Sequence, residues 1–238
     1  MATTRQHPIR CPLCEHEQEV ALWDVLDIDR EPELHERLLK GEINRVTCAS
    51  CAGSFAVSKP LVYRHLEREL MVFLDPVNNG RTLDEVVADF SRTVGNLDQL
   101  MPTDVPLPEI HLVIEPGELV ERVFLREQQM DARLVEHIKY LMYRRNPEKL
   151  PAGQMNLLFN PLDSTPEQLC FMAQNRATGR IEAALHFQRS DYDALAEAFA
   201  AEAGPSLLEE QFPGPYFSGR LLVLQDLAEE AAEAEEEG

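Results

Sequence analysis

The chain has 238 residues, 44% of them hydrophobic and 27% charged, which suits one large folded domain or two small ones. Twenty-two Lys+Arg against 42 Asp+Glu give a net charge of −20, a field that repels polyanions and disfavours a nucleic-acid partner. Apolar runs such as Leu70–Leu74 are too short to span a membrane, and Met1–Arg10 lacks the apolar stretch of a secretory signal. A cytoplasmic setting with reduced cysteines is therefore expected.

In chain order, a short polar lead precedes Cys11-Pro12-Leu13-Cys14. The near-alternation of Val20, Leu22 and Val25 predicts a strand or extended arm over 18–26. Pro32, then Leu34, Leu38 and Leu39, then Gly41 predict a short helix with a start and a stop. Cys48-Ala49-Ser50-Cys51 follows. Leu61–Leu66 and Leu70–Leu74 read as a hairpin turning at Glu67-Arg68-Glu69, and Pro76–Gly80 is a breaker cluster expected to mark a domain boundary.

The second part reads as α+β. Leu83, Val86, Val87 and Phe90 lie on one helix face, Met101–Pro108 is a linker, and Ile110–Ile114 is a strand. Helices are expected around Leu119–Phe124 and Leu134–Met142, with a break over Asn146–Gly153. Asn156–Phe159 reads as a strand, and Leu169–Ala173 with Ile181–Phe187 as a hairpin around Ala177-Thr178-Gly179. Ser190 and Asp193 resemble an N-cap and a first-turn acid of an Ala-rich helix reaching about Ala203. Leu221–Leu224 fits either a strand or the start of a last helix. From Asp226 the chain carries seven acids and no base, as a solvated helix or a disordered tail.

The chemistry sits in the cysteines. Cys11 and Cys14, then 33 residues, then Cys48 and Cys51 make two C-x2-C turns. Each turn aims two sulfurs at one point, and four thiolates suit the tetrahedral preference of Zn²⁺. The helix over 32–40 is read as an insertion that lengthens the gap. Four sulfurs leave no coordination position for water or substrate, which favours a structural metal, and an iron–sulfur cluster remains an alternative for the same donors. Two disulfides would need an oxidising compartment. His7 and His16 flank the first pair as ordinary surface histidines.

Ile9–Cys14, Leu39–Asn44, Cys48-x-x-Cys51, the hairpin Leu61–Pro76 and the acidic–basic segment Asp131–Lys139 resemble the CpXC domain family of bacterial proteins. The resemblance covers roughly Ile9 to Tyr143 and implies a presumed zinc-binding domain of unestablished role. The family places glycine directly after each cysteine pair, where this chain has Glu15 and Ala52, and this chain has Ala49 in the second pair where the first has Pro12. Glycine tolerates a left-handed backbone more easily than either residue.

No H-E-x-x-H, G-x-S-x-G or Walker-type motif is present, and no catalytic residue is assigned. Cys170, within Leu169–Met172, reads as a buried inert thiol, and His65, His111, His137 and His186 as isolated histidines without a catalytic partner. The expected organisation is a zinc ribbon with a helical insertion and a β-hairpin over residues 1–76. An α+β domain over 81–225, separate from the ribbon or packed with it, and an acidic tail over 226–238 complete the chain. The expected function is a non-enzymatic protein-interaction module with a structural Zn²⁺ on Cys11, Cys14, Cys48 and Cys51. The alternatives are an enzyme with its site between Ile110 and Phe187, and a nucleic-acid-binding ribbon. The latter is disfavoured by nine Lys+Arg against thirteen Asp+Glu in the first 76 residues.

Overall fold

The computed structural model describes residues 1–78, 80–95, 108–201 and 207–236. Contacts divide the chain into two compact units, Met1–Arg122 and Val123–Gly238, each of mixed α and β structure.

The first unit is built on a five-stranded mixed sheet of order β1-β2-β5-β6-β7. Its strands are β1 (Thr3–Arg10), β2 (Glu17–Asp27), β5 (Leu61–His65), β6 (Leu70–Leu74) and β7 (Glu109–Val113). β1 and β2 pair antiparallel from Arg10 opposite Glu17, so the first cysteine pair occupies the turn of this hairpin. β2 runs parallel to β5, β5 antiparallel to β6, and β6 parallel to β7. A separate two-stranded ribbon, β3 (Arg45–Thr47) with β4 (Ser54–Ala56), carries the second pair in its turn. The expected hairpin at 61–74 is present, turning through a 3-10 turn at Leu66–Arg68. Its alternating Leu61, Tyr63, Leu70, Val72 and Leu74 are buried on one face.

Helix α1 (Glu33–Leu39) lies where Pro32 and Gly41 predict it, burying Leu34 and Leu38, with Gly41 at φ +68° after its C-cap. The gap between the cysteine pairs holds more than this helix, because it also contains β2, an 11-residue strand of the main sheet. Helix α2 (Leu83–Val94) opens with a capping box. The Thr82 hydroxyl accepts from the Glu85 N–H, and the Glu85 carboxylate accepts from the Thr82 N–H. Phe90 of α2 meets Phe73 of β6 edge-on at 5.2 Å.

The boundary expected at 76–81 falls inside this unit. Pro76–Gly80 ends β6 without ending the sheet, since β7 returns about 35 residues later to lie beside β6. The linker expected over Met101–Pro108 lies outside the described residues except for Pro108, and Asn79 of the breaker cluster is also outside them. Helix α3 (Pro116–Glu127) spans the division between the units.

The second unit pairs an antiparallel sheet of order β10-β9-β8 with helices. Its strands are β8 (Met155–Asn160), β9 (Gln168–Asn175) and β10 (Ile181–Gln188), and its helices include α4 (Ala132–Arg145) and α5 (Arg189–Ala200). α6 (Leu207–Gln211) and α7 (Gly219–Glu236) follow. Leu134, Val135, Ile138 and Met142 form the buried stripe of α4 and pack with Leu157, Phe159, Leu169 and Phe171 of the sheet. The Tyr143 hydroxyl donates to Met155 O at 3.2 Å and accepts from Leu157 N–H at 2.9 Å, tying the helix to β8. Asp131, not foreseen as a cap, accepts from Leu134 N–H at the start of α4.

One sequence reading is corrected here, and one left open between two alternatives is decided. Ser190 is not the N-cap of α5; the helix begins at Arg189 directly from the last residue of β10, with Gln188 at the cap position and no side-chain cap bond. Leu221–Leu224 belongs to α7, whose start is marked by Ser218 accepting from Leu221 N–H and Leu222 N–H. The acidic segment continues this helix to Glu236, where Asp226 accepts from the Tyr140 hydroxyl and Glu230 from Arg144 of α4.

Candidate metal centre

The two cysteine turns have the same local construction. Cys11 N–H donates to His16 O and Glu15 N–H to Cys11 O in the first; Cys48 N–H donates to Gly53 O and Ala52 N–H to Cys48 O in the second. In each, the N–H two residues on points at the first sulfur, Leu13 at Cys11 Sγ and Ser50 at Cys48 Sγ, both at 3.4 Å. This geometry turns the chain left-handed directly after each pair, at Glu15 (φ 62°) and Ala52 (φ 57°). Both residues hold the conformation despite their Cβ atoms, where glycine would adopt it at less cost.

Two side-chain amides hold the turns together. Gln18, at the start of β2, accepts from Ala49 N–H at 2.8 Å and donates to Thr47 O at 3.3 Å, gripping the backbone on either side of Cys48. Asn44, buried and just before β3, accepts from Trp23 N–H at 2.7 Å and donates to Trp23 O at 3.0 Å, standing in for a neighbouring strand. Neither residue is signalled by the cysteine motif, and only the fold identifies them. The turns also meet directly: a Cβ added at Gly53 would lie 2.3 Å from Leu13 Cδ1 and 3.3 Å from Cys51 Sγ. One residue after the left-handed position, a methyl at Gly53 would thus have to displace the exposed Leu13 side chain and crowd Cys51 Sγ.

The result is a cluster of four sulfurs, all within 4.8 Å of one another. Cys11 Sγ to Cys51 Sγ is 3.8 Å and Cys14 Sγ to Cys48 Sγ is 3.6 Å. A disulfide needs about 2.05 Å, so the cysteines are free thiols. Cys11 and Cys48 are buried, whereas Cys14 and Cys51 face solvent. The Cys51 N–H directed at Cys48 sulfur, helped by the Ser50 N–H, outweighs burial and brings that thiol down to about 6. At Cys14 the His16 N–H lowers the pKa, but the sulfurs of Cys51, Cys48 and Cys11 together with burial push it up to about 12. The cluster therefore holds a thiolate readily at Cys48 and resists losing every proton unless a cation sits among the sulfurs. The four residues assigned to the metal are brought together, and they can hold a metal ion.

His7 lies 3.8 Å from Asp24 rather than at the sulfurs, and His16 contributes its backbone. Cys170 is fully buried in β9, and burial, with the charge of Asp163, raises its pKa, as befits an inert thiol. Ile110 and Phe187, the suggested flanks of a catalytic cleft, belong to different units. Among the described residues, no helix is long and apolar enough to cross a membrane.

No curated protein and no solved structure matches the chain. A family model described as CpXC protein matches residues 9–139, which is more than half of the sequence. That span runs from the first cysteine turn through the second, the β5–β6 hairpin and the helix beginning at Ala132. The chain belongs to the CpXC protein family.

Proposed function

We propose that the chain is a zinc protein whose Cys11, Cys14, Cys48 and Cys51 bind one Zn²⁺ as a structural fastener, in a ribbon that presents a surface to protein partners. The observation that carries the reading is the sulfur spacing. A tetrahedral Zn²⁺ with bonds of about 2.3 Å places its sulfurs about 3.8 Å apart, close to the 3.6 and 3.8 Å found. With four sulfurs the shell is closed, which favours fastening over catalysis. The cysteine turns and the three-residue strands β3 and β4 bury few side chains of their own, so the metal supplies cohesion there.

The charge of −20 and the lack of a catalytic motif favour a protein partner over nucleic acid or a small substrate. The setting that suits four free thiols is a reducing one, such as the cytoplasm. Metal analysis of chain purified without added metal should give one zinc per chain. Affinity capture from native lysate should recover partners with the intact chain and lose them with Cys48→Ser. A zinc-free chain that folds normally would refute the structural role. Capture unchanged by Cys48→Ser would remove the ribbon as the partner surface.

A further inference from the structure

A second group of metal-binding side chains lies at the far end of the β2–β5 pair and shares no residue with the cysteines. These strands run parallel, with Asp27 opposite Arg64, and Ile28 N–H continues the pairing to Arg64 O. Their common end therefore delivers Asp29 beside His65 and the turn that follows it. Donor atoms of Asp29, His65 and Glu67 all lie within 4.8 Å of one another.

The arrangement is held from behind. Asp29 accepts from Leu66 N–H at 2.8 Å and from Glu67 N–H at 3.0 Å, one on each carboxylate oxygen, which fixes the carboxylate and leaves lone pairs on both. His65 Nδ1 lies 3.3 Å from the hydroxyl of Tyr63, a fully buried side chain, and that hydroxyl lies 3.0 Å from Nδ1 of His35 on α1. The Tyr63 hydroxyl carries one proton for two ring nitrogens. In one arrangement His65 Nδ1–H donates to Tyr63, and Tyr63 donates to His35. His65 then presents the lone pair of Nε2 outward, which is how a metal-bound histidine is normally held by its second nitrogen.

His65 Nε2 stands 3.9 Å from Asp29 Oδ1, too long for a hydrogen bond. Two bonds of about 2.1 Å to a shared cation bridge such a gap after a small contraction. Glu67 is exposed and can swing to supply the third donor.

We propose that Asp29, His65 and Glu67 bind a divalent first-row transition cation through one nitrogen and carboxylate oxygens, with Tyr63 as a positioning residue and His35 behind it. One imidazole with two carboxylates favours cations that accept nitrogen and oxygen donors, in contrast to the sulfur cluster. Three protein ligands leave positions for water, so this is an open site where the cysteine cluster is closed.

The test is Co²⁺ titration of the full chain already carrying one Zn²⁺, followed by calorimetry and visible absorption. The expected result is one saturable further equivalent with weak nitrogen/oxygen-type d–d bands. His65→Gln should remove it, Glu67→Gln should weaken it about tenfold, and Tyr63→Phe should weaken it 10–100-fold with the same spectrum. Glu67→Gln, at an exposed position, keeps the test valid if another variant fails to fold. No saturable second equivalent, or one of equal affinity in His65→Gln and Glu67→Gln, overturns the proposal.

Discussion

At Ala52 a residue with a Cβ holds φ at 57°, directly after the second cysteine pair, and its side chain is exposed. An L-residue in the left-handed region costs about 1–2 kcal/mol, and glycine there costs almost nothing. The greater freedom of glycine in the unfolded chain offsets about 0.4–1 kcal/mol of that gain. No packing is lost with an exposed methyl, so Ala52→Gly should stabilise the first unit by about 0.5–1 kcal/mol. For a unit of this size that corresponds to a rise in Tm of about 2–5 °C. The assay is thermal unfolding at fixed free zinc, since bound metal itself shifts Tm. Ala52→Val should move in the opposite direction, because a β-branched residue suffers most at positive φ. Glu15→Gly should gain less than Ala52→Gly, because it also loses the exposed 2.7 Å ion pair with Arg10, worth about 0–1 kcal/mol. A fall in Tm for Ala52→Gly would refute the left-handed turn as the reason glycine suits this position.

Gly219→Ala should destabilise the second unit by about 3 kcal/mol in chemical denaturation, because the new Cβ would lie 2.2 Å from Glu136 O and 2.8 Å from Tyr140 N, both backbone atoms of α4. Lys139→Met removes the ammonium 2.9 Å from the buried Glu136 carboxylate, which also receives the Gly219 N–H. A loss of about 3–5 kcal/mol is expected, and adding Glu136→Gln should recover part of it. Burial opposes ionisation of Asp24, but the hydrogen bond and charge of Lys59, with Arg5, outweigh it and hold the carboxylate below its ordinary value. A depressed folded-state pKa stabilises above the unfolded value near 4 and ceases to do so as pH falls through the folded value. Asp24→Asn should thus be less stable than the native chain at pH 7 and converge with it in acid; a gap that widened on acidification would contradict the assignment.

The cysteine cluster was legible because each C-x2-C turn is local and carries its own geometry. What joins the turns was not. Gln18 and Asn44 act through side-chain bonds to Thr47, Ala49 and Trp23, between segments that only the fold brings together. Strand β1 read as a polar lead because most of Thr3–Arg10 is exposed, so it lacks the apolar alternation that marks a half-buried strand. The breaker cluster at 76–80 does end β6, but pairing of β6 with β7 is non-local, and a run of Pro, Asn and Gly cannot reveal that the sheet continues beyond it. The cap position of α5 is Gln188 rather than Ser190 because β10 feeds the helix without a loop, leaving no position for a serine cap. His65 alone has no partner in sequence; its neighbour Asp29 is set by the parallel β2–β5 register.

The proposed function rests on four sulfurs of this chain holding one Zn²⁺. Zinc-edge X-ray absorption on the full chain, purified without added metal, tests it most directly. One zinc per chain is expected, with a single shell of four sulfurs at about 2.3 Å that is lost in Cys48→Ser. A shell of nitrogen or oxygen near 2.0 Å, or iron in place of zinc, would contradict it.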